Sequence, residues 1–146
     1  MELPHNSVVL VVDGRKMLFL RNEGDAAYPN LVVEQAVEQE NPATRDQATD
    51  SAGRASSPQG AAQSSVEPTV FHQLEEDRFA AEAADVLKTR ALKNDYDSLI
   101  VVAPPKTLGE MRKHYHKEVQ NRLAGELAKD LTGHPIADIE TALKNA

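Results

Sequence analysis

The 146-residue sequence contains no cysteine and no tryptophan, and only 4% of its residues are aromatic. The absence of cysteine excludes disulfides, cysteine-ligated zinc and thiol catalysis, and it agrees with a reducing compartment. Since 40% of the residues are nevertheless hydrophobic, the core must consist mostly of Val, Leu, Ile and Ala. A chain of this length has the size of one domain, and we expect a single domain over residues 1–146.

The sequence also lacks long apolar runs and an excess of positive charge. No segment approaches the roughly 20 apolar residues of a membrane helix, and the start MELPHNSVVLVV has no basic region of a signal peptide. We therefore expect a cytoplasmic protein without a membrane span. The net charge of −7 opposes non-specific binding to nucleic-acid backbones, so any RNA contact requires a local basic patch.

Three strands are predicted before residue 40. Val8 to Val12 is a continuous β-branched run that ends at the turn signal Asp13-Gly14, and Met17 to Leu20 is apolar again. Residues 30–39 alternate between apolar and acidic side chains, which is typical of a strand with one wet face. Together these segments predict an antiparallel meander whose first turn carries Arg15 and Lys16.

Helices and strands alternate in the second half of the chain. Residues 70–93 carry alanine and leucine at helical spacing, and the apolar run 99–103 predicts a strand that is covered on both faces and paired in parallel. Residues 106–123 predict a helix in two pieces, broken near His114. Residues 126–131 predict a short strand, although apolar residues four apart leave a helix open. A last helix is predicted with Pro135 at its first position and Ile136, Ile139 and Leu143 on one face.

The resulting order is β-β-β-loop-α-β-α-β-α, which predicts the α/β class with a mixed five-stranded sheet and packed helices. This order is that of an RNase H-like or translation-factor-like α/β sandwich. The topology alone assigns no function.

A long tract of Ala, Ser, Gln, Gly and Pro separates the meander from the first helix. It covers residues 41–69 and is predicted to be a flexible internal loop. Structureless loops of this length within one domain are uncommon and are usually functional or disordered. Both interpretations remain open for this tract.

The sequence gives little support for a metal site or for a catalytic nucleophile. A two-metal nuclease would need Asp13 to converge with an acid at the end of the later strand, but that strand ends Ala103-Pro104-Pro105. His114 and His116 are two residues apart, so on a helix they point away from each other. No serine elbow, P-loop or dinucleotide fingerprint occurs, and we expect no cofactor and no metal.

The stretch RKHYHK is the densest basic cluster and includes an aromatic residue. Basic and aromatic side chains together are typical of RNA contacts. The alternative is an ordinary solvated helix face balanced by Glu110 and Glu118. The candidate phosphate contacts are Arg112, Lys113, Lys117 and Arg122.

Three segments resemble one bacterial family: VVLVVDGRKMLFL, EEDRFAAEAADVLKTR, and the run from Leu99 to Ile139. Within them VAPPKTLGEMR and KDLTGHP are the most specific, and DSAGR lies in the loop. The chain resembles host attachment proteins, the family of the "protein required for attachment to host cells". This resemblance spans residues 7–143, and the family name describes a phenotype.

The order of elements also resembles the middle domain of archaeal and eukaryotic class-1 release factors. In that domain a loop before the first long helix carries a Gly-Gly-Gln that helps water cleave peptidyl-tRNA. The corresponding loop here has Pro58-Gln59-Gly60 and Gln63 but no paired glycines. The resemblance implies a binding loop, with the following candidate residues: Asp50, Ser51, Gly53, Arg54, Gln59 and Gly60.

Three functions follow as hypotheses. The first is a cytoplasmic, non-metabolic protein that binds RNA or the translation machinery, with the ribosome or tRNA as partner. The second is a protein-interaction module in surface attachment or envelope regulation. The third is a peptidyl-tRNA hydrolase that rescues ribosomes, for which Gln59 and Gln63 are the catalytic candidates.

Overall fold

The computed structural model describes residues 1–39 and 67–146, and these form one sheet with helices on both faces. The strands have the following bounds: β1 Val8–Val12, β2 Lys16–Asn22, β3 Leu31–Glu38, β4 Leu99–Ala103 and β5 Leu123–Ala128. The helices have the following bounds: α1 Glu67–Leu92, α2 Pro105–Arg112, α3 Lys117–Arg122 and α4 Ile136–Lys144.

The sheet has the strand order β3-β2-β1-β4-β5. The first three strands form the predicted antiparallel meander, while β4 pairs in parallel with both β1 and β5. All five residues of β1 and of β4 are buried, as expected for central strands covered on both faces. The predicted α/β class and the mixed five-stranded sheet are confirmed.

The first helix covers one face of the sheet with small side chains. Ala80, Ala83, Ala84, Leu87 and Ala91 are almost completely buried and recur at helical spacing, so they form the stripe that faces the sheet. Alanine has no side chain beyond Cβ, and the helix can therefore lie close to the strands. This layer also includes buried residues of α2 and α3.

The last helix covers the other face. Ile139 and Leu143 of α4 are fully buried among residues of β1 and β4, together with Leu3 and Leu131. Ile136, Ile139 and Leu143 are spaced by three and four residues, which places them on one side of α4. The alternating strand residues thus divide between two apolar layers, one on each side of the sheet.

Two element boundaries differ from the sequence predictions. Helix α1 begins at Glu67 and not at residue 70, so three residues assigned to the loop are helical. Strand β5 covers residues 123–128 and not 126–131, because it pairs with β4 from Leu99↔Leu123 to Ala103↔Ala128. Leu131 is buried instead in the connection to α4. The break of the preceding helix near His114 is confirmed.

A ring of four charged side chains closes the amino edge of the parallel strands. Arg21 of β2 binds Glu34 of β3 at 2.7 Å and Asp95 at 3.1 Å, and Arg90 of α1 binds the same two carboxylates at 2.6 and 2.7 Å. The register of β3 shifts by one residue at Glu34. This β-bulge therefore supplies the β3 carboxylate of the ring. The ring ties two strands, α1 and the loop before β4 together.

Within residues 1–39 and 67–146, none of the helices has the length and hydropathy that a membrane crossing requires.

Candidate functional site at the carboxyl edge of the sheet

A cavity of about 340 Å³ opens at the carboxyl ends of β1 and β4. The turn after β1 and the start of α2 after β4 form two of its walls, and the first half of α1 forms a third. Asp130, beyond the end of β5, completes it. The lining residues are Asp13, Gly14, Arg15, Gln73, Glu76, Asp77, Ala80, Pro104, Lys106, Thr107, Glu110 and Asp130.

The position of this cavity follows from the topology. Strand β1 leads to β2 on one side, whereas β4 leads through α2 and α3 to β5 on the other side. The two connections diverge, and they leave a crevice between neighbouring parallel strands. In open α/β sheets ligands bind in such a crevice, outside the carboxyl ends of the strands. This geometry makes the carboxyl edge the candidate site.

Asp13 closes the turn between β1 and β2, as the sequence predicts. Its Oδ1 accepts hydrogen bonds from the backbone N–H groups of Arg15 and Lys16, each at 2.7 Å. Its Oδ2 accepts a hydrogen bond of 2.5 Å from the hydroxyl of Thr132. Both carboxylate oxygens therefore hold the fold together, and they link the first hairpin to the connection between β5 and α4.

The acidic side chains of the cavity differ in their contacts. Asp77 accepts a 2.8 Å hydrogen bond from Gln73. Glu76 lies against the β1–β2 turn, since a Cβ atom added to Gly14 would lie 2.7 Å from the carboxyl carbon of Glu76. The glycine thus permits this close approach, because it has no side chain at this point.

Glu110 lies on α2 at the rim of the cavity and forms an ion pair with Lys113 at the end of its own helix. Nζ of Lys113 is 2.8 Å from its carboxylate, and Nε2 of His114 is 3.9 Å away. The hydrogen bond from Lys113 lowers the pKa of Glu110, and the same contact raises the pKa of Lys113. Glu110 thus balances part of the positive charge of the basic cluster, as expected if the cluster is an ordinary solvated helix face.

The predicted basic cluster lies along the end of α2 and the start of α3. Arg112 binds Glu126 of β5 at 2.8 Å, with its side chain 57% exposed, and the Lys113 side chain is 70% exposed. Lys117 is exposed, and it forms no ion pair with the described part of the chain. Water screens ion pairs of such exposed cations, so these pairs are weak, and all three cations are accessible from solvent.

Arg122, the fourth predicted phosphate contact, has a different environment. Its side chain is 18% exposed, and Nη1 donates hydrogen bonds to Oδ1 of Asn94 at 3.0 Å and to the carbonyl of Tyr96 at 2.9 Å. It also lies 3.4 Å from Glu118. The guanidinium therefore holds the loop before β4, and it is less available to an external phosphate than the other three cations.

The two histidines of the cluster belong to different elements. His114 follows α2, whereas His116 caps α3 by accepting a 3.0 Å hydrogen bond from the N–H of Glu118 at Nδ1. Among the residues described, no group of three or more His, Cys, Asp or Glu is arranged to hold a metal ion.

The loop candidates lie outside the described residues. These are Asp50, Ser51, Gly53, Arg54, Gln59, Gly60 and Gln63. The last described residue before them lies at the carboxyl edge, because the N–H of Gln39 donates a 2.7 Å hydrogen bond to the carbonyl of Arg15 in the β1–β2 turn. The chain leaves β3 here, beside the cavity.

Sequence reasoning missed the wall that α1 contributes. Gln73, Glu76 and Asp77 lie one helical turn apart or less, in line with the buried stripe of Ala80 and Ala84. The sequence does contain a signal for this wall. Polar residues that continue the line of an apolar helix stripe indicate that the helix extends beyond the sheet it covers.

Comparison with known protein families gave a match over nearly the whole chain. The model of the family described as bacterial archaeo-eukaryotic release factor family 12 matches residues 6–143. No protein with a curated description matches the chain. The match supports the release-factor part of the resemblance seen in the sequence and not the host attachment name. A release-factor-like family suggests a role related to translation.

Proposed function

The chain belongs to bacterial archaeo-eukaryotic release factor family 12, and from this premise we propose that it acts by binding the translation machinery, with the ribosome as its partner. The observation that carries the proposal is the extent of the match. Residues 6–143 include all five strands and reach into α4, so the shared features are those of the complete fold.

Two regions of the described structure are the proposed contacts. The first is the carboxyl edge, where the cavity opens beside the last described residue before the loop, Gln39. The second is the exposed basic cluster, in which Arg112, Lys113 and Lys117 would contact phosphates of ribosomal RNA or tRNA. An acidic protein can make such a contact only through a local patch of this kind, because its overall field repels RNA.

Co-sedimentation with purified ribosomes tests this function. We expect the protein to pellet with ribosomes at low salt, and we expect the bound fraction to fall steeply as salt increases, because counterions are released when phosphates are neutralised. An unrelated acidic protein of similar size is the control. Absence of the protein from the ribosomal pellet at low salt would contradict the proposal.

A second candidate function is a protein-interaction module in surface attachment or envelope regulation. The resemblance to host attachment proteins suggests it, and the exposed apolar side chains of Val70, Phe71 and Leu74 on α1 favour contact with another protein. Pull-down of one defined envelope protein, with no RNA or ribosomal protein in the same eluate, would favour this function over ribosome binding.

Peptidyl-tRNA hydrolysis is the enzymatic alternative. It rests on the resemblance to the release factor domain and on Gln59 and Gln63, since Gly-Gly-Gln itself is absent from the sequence. Purified protein would be incubated with peptidyl-tRNA, and Gln59→Ala and Gln63→Ala would be compared with the parent chain. Hydrolysis by the parent that either substitution abolishes would establish the activity, and no hydrolysis by the parent would exclude it.

A further inference from the structure

The first turns of α1 extend beyond the sheet that the rest of the helix covers. The helix has 26 residues, which corresponds to a length of about 39 Å. Strands β1 and β4 have five residues each, or about 17 Å. Since the end of α1 lies beside β2 and β3 through Arg90, the excess length falls at its start, at the carboxyl edge.

This projecting part carries exposed apolar side chains. Val70 is 55% exposed, Phe71 45% and Leu74 56%, and the three lie within two turns on the outward side of α1. A single exposed apolar residue is ordinary on a protein surface. Three neighbours of this size on one helix surface form a patch, and such patches mark contact sites for other molecules.

Acidic side chains border this patch. Glu76 and Asp77 supply this negative charge, whereas Glu75 is only 7% exposed and is bound to Arg78 at 2.9 Å. Glu76 and Asp77 line the carboxyl-edge cavity, whose walls hold five carboxylates against two cationic side chains. Asp77 is three residues from Leu74, which places it beside the apolar patch on the helix surface, and it also lines the cavity. The apolar patch on the outward side of α1 and the negative cavity on the side facing the sheet therefore adjoin at Asp77.

We propose that this surface, formed by the first turns of α1 and the carboxyl-edge cavity, is a docking site for a lysine- and arginine-rich protein segment that also carries apolar side chains. Its charge is complementary to such a segment, whereas the phosphates of RNA would meet net negative charge here. The inference rests on the proposed function, because it assigns this contact to a basic protein of the translation machinery and leaves RNA to the Arg112–Lys117 cluster.

Charge also argues against a second copy of this chain as the occupant. A two-fold contact would place the same surface of both copies face to face, and the carboxylates of Glu76 and Asp77 would then repel their equivalents. With a net charge of −7 per chain, self-association through this acidic surface is electrostatically unfavourable.

A matched pair of variants on the same helix isolates the surface. The test variant combines Leu74→Ala with Glu76→Gln. The control variant combines Leu92→Ala with Asp85→Asn at the other end of α1, where the Leu92 side chain is 59% exposed and that of Asp85 is 68% exposed. Each variant loses one exposed leucine and one negative charge, so any difference between them reflects position.

Two binding measurements use these variants. The first is fluorescence anisotropy with a labelled synthetic peptide that contains Lys and Leu at helical spacing, and a single-stranded RNA oligonucleotide serves as the second probe. The second measurement is co-sedimentation with ribosomes. We expect the test variant to bind the peptide roughly tenfold more weakly than the parent chain, while the control variant and the RNA affinity stay within about twofold.

The outcomes separate this inference from the proposed function. Equal peptide affinities of the two variants would overturn the docking site, and so would a test variant that loses RNA affinity but keeps peptide affinity. A lower melting temperature of the test variant with unchanged peptide binding would assign Leu74 to packing and also overturn it. If both variants bind the peptide like the parent and the parent pellets with ribosomes, the docking site fails while ribosome binding stands. If the peptide result holds but the parent does not pellet with ribosomes, the docking site stands and the proposed function fails.

Discussion

The hydroxyl of Thr132 lies 2.5 Å from Oδ2 of Asp13, and this hydrogen bond joins the first turn of the chain to the connection that follows the last strand. Thr132 is only 7% exposed, so water cannot replace the hydroxyl readily. The bond lies at the wall of the carboxyl-edge cavity. It therefore contributes both to stability and to the shape of the candidate site.

Replacement of Thr132 by valine tests this contact. Hydrogen bonds to charged groups contribute about 1.5–3 kcal/mol, and we expect Thr132→Val to lower the free energy of unfolding by an amount in this range. Denaturation in urea measures the change. The control is Thr141→Val, whose hydroxyl binds the Ala137 carbonyl on an exposed helix face and whose loss should cost less than about 0.5 kcal/mol. Equal effects of the two substitutions would contradict a special role for Thr132.

Two glycines are expected to respond in opposite directions to alanine. A Cβ on Gly24 would lie 2.1 Å from the carbonyl oxygen of Tyr28 and 2.9 Å from the amide nitrogen of Asn30. Both atoms belong to the backbone and cannot move aside easily. Gly109 lies within α2, and a Cβ added there would meet none of the described neighbouring side chains within 4 Å. At such an open helical position alanine is favoured over glycine by about 0.5–1 kcal/mol.

Thermal unfolding of the two variants measures this difference. We expect Gly24→Ala to lower the melting temperature by several degrees and Gly109→Ala to raise it slightly. A Gly24→Ala variant as stable as the parent chain would show that the loop between β2 and β3 rearranges without cost.

The fold was largely predictable because its central elements carry local signals. Strands β1 and β4 are continuous apolar runs bounded by turn residues, and burial on both faces is what such runs require. The start of β5 was not predictable from local pattern, because Leu123, Leu127 and Leu131 also repeat with the period of a helix. Its position is fixed by pairing with β4, which is a contact between distant segments.

The candidate site was predictable only in part, for a related reason. The basic cluster of residues 112–117 is a local feature that can be read from the sequence, and its role in binding stays a prediction. The engagement of Arg122 with Asn94 and Tyr96 depends on how α3 packs against the loop before β4. The cavity likewise forms where four separated segments meet, so no single stretch of the sequence indicates it.

The ring of Arg21, Glu34, Arg90 and Asp95 makes stability depend on pH. Burial alone would raise the pKa of Glu34 and of Asp95, but hydrogen bonds from the two arginines outweigh it and hold both pKa values below their ordinary values of 4.5 and 3.8. A carboxylate with a lowered pKa in the folded state stabilises the fold above its ordinary pKa. This stabilisation is lost as pH falls below about 4.5 and through the lowered values.

Unfolding measured between neutral and strongly acidic pH tests the ring. We expect the parent chain to lose stability below about pH 4.5, and we expect a variant with Glu34→Gln and Asp95→Asn to be less stable at neutral pH with a shallower decline in acid. The control is Asp97→Asn, since the Asp97 side chain is 99% exposed. A double variant whose acid profile parallels that of the parent would show that these carboxylates do not couple folding to pH.

The basic cluster makes a prediction that separates binding from stability. Lys117 is exposed, whereas Arg122 is largely buried and bound to Asn94, Tyr96 and Glu118. We expect Lys117→Ala to weaken RNA binding without a change in the melting temperature. One phosphate contact less should lower the slope of log affinity against log salt by about 0.7–0.9.

Arg122→Ala should have the opposite profile, with a lower melting temperature, because the acceptors around the guanidinium lose their donor while partly buried. Lys93→Ala, at an exposed lysine beyond the end of α1 and outside the cluster, is the control for a simple loss of charge. Salt titrations with a single-stranded RNA oligonucleotide measure the slopes. If Lys117→Ala and Lys93→Ala change the slope equally, the cluster acts only through net charge and makes no specific phosphate contact.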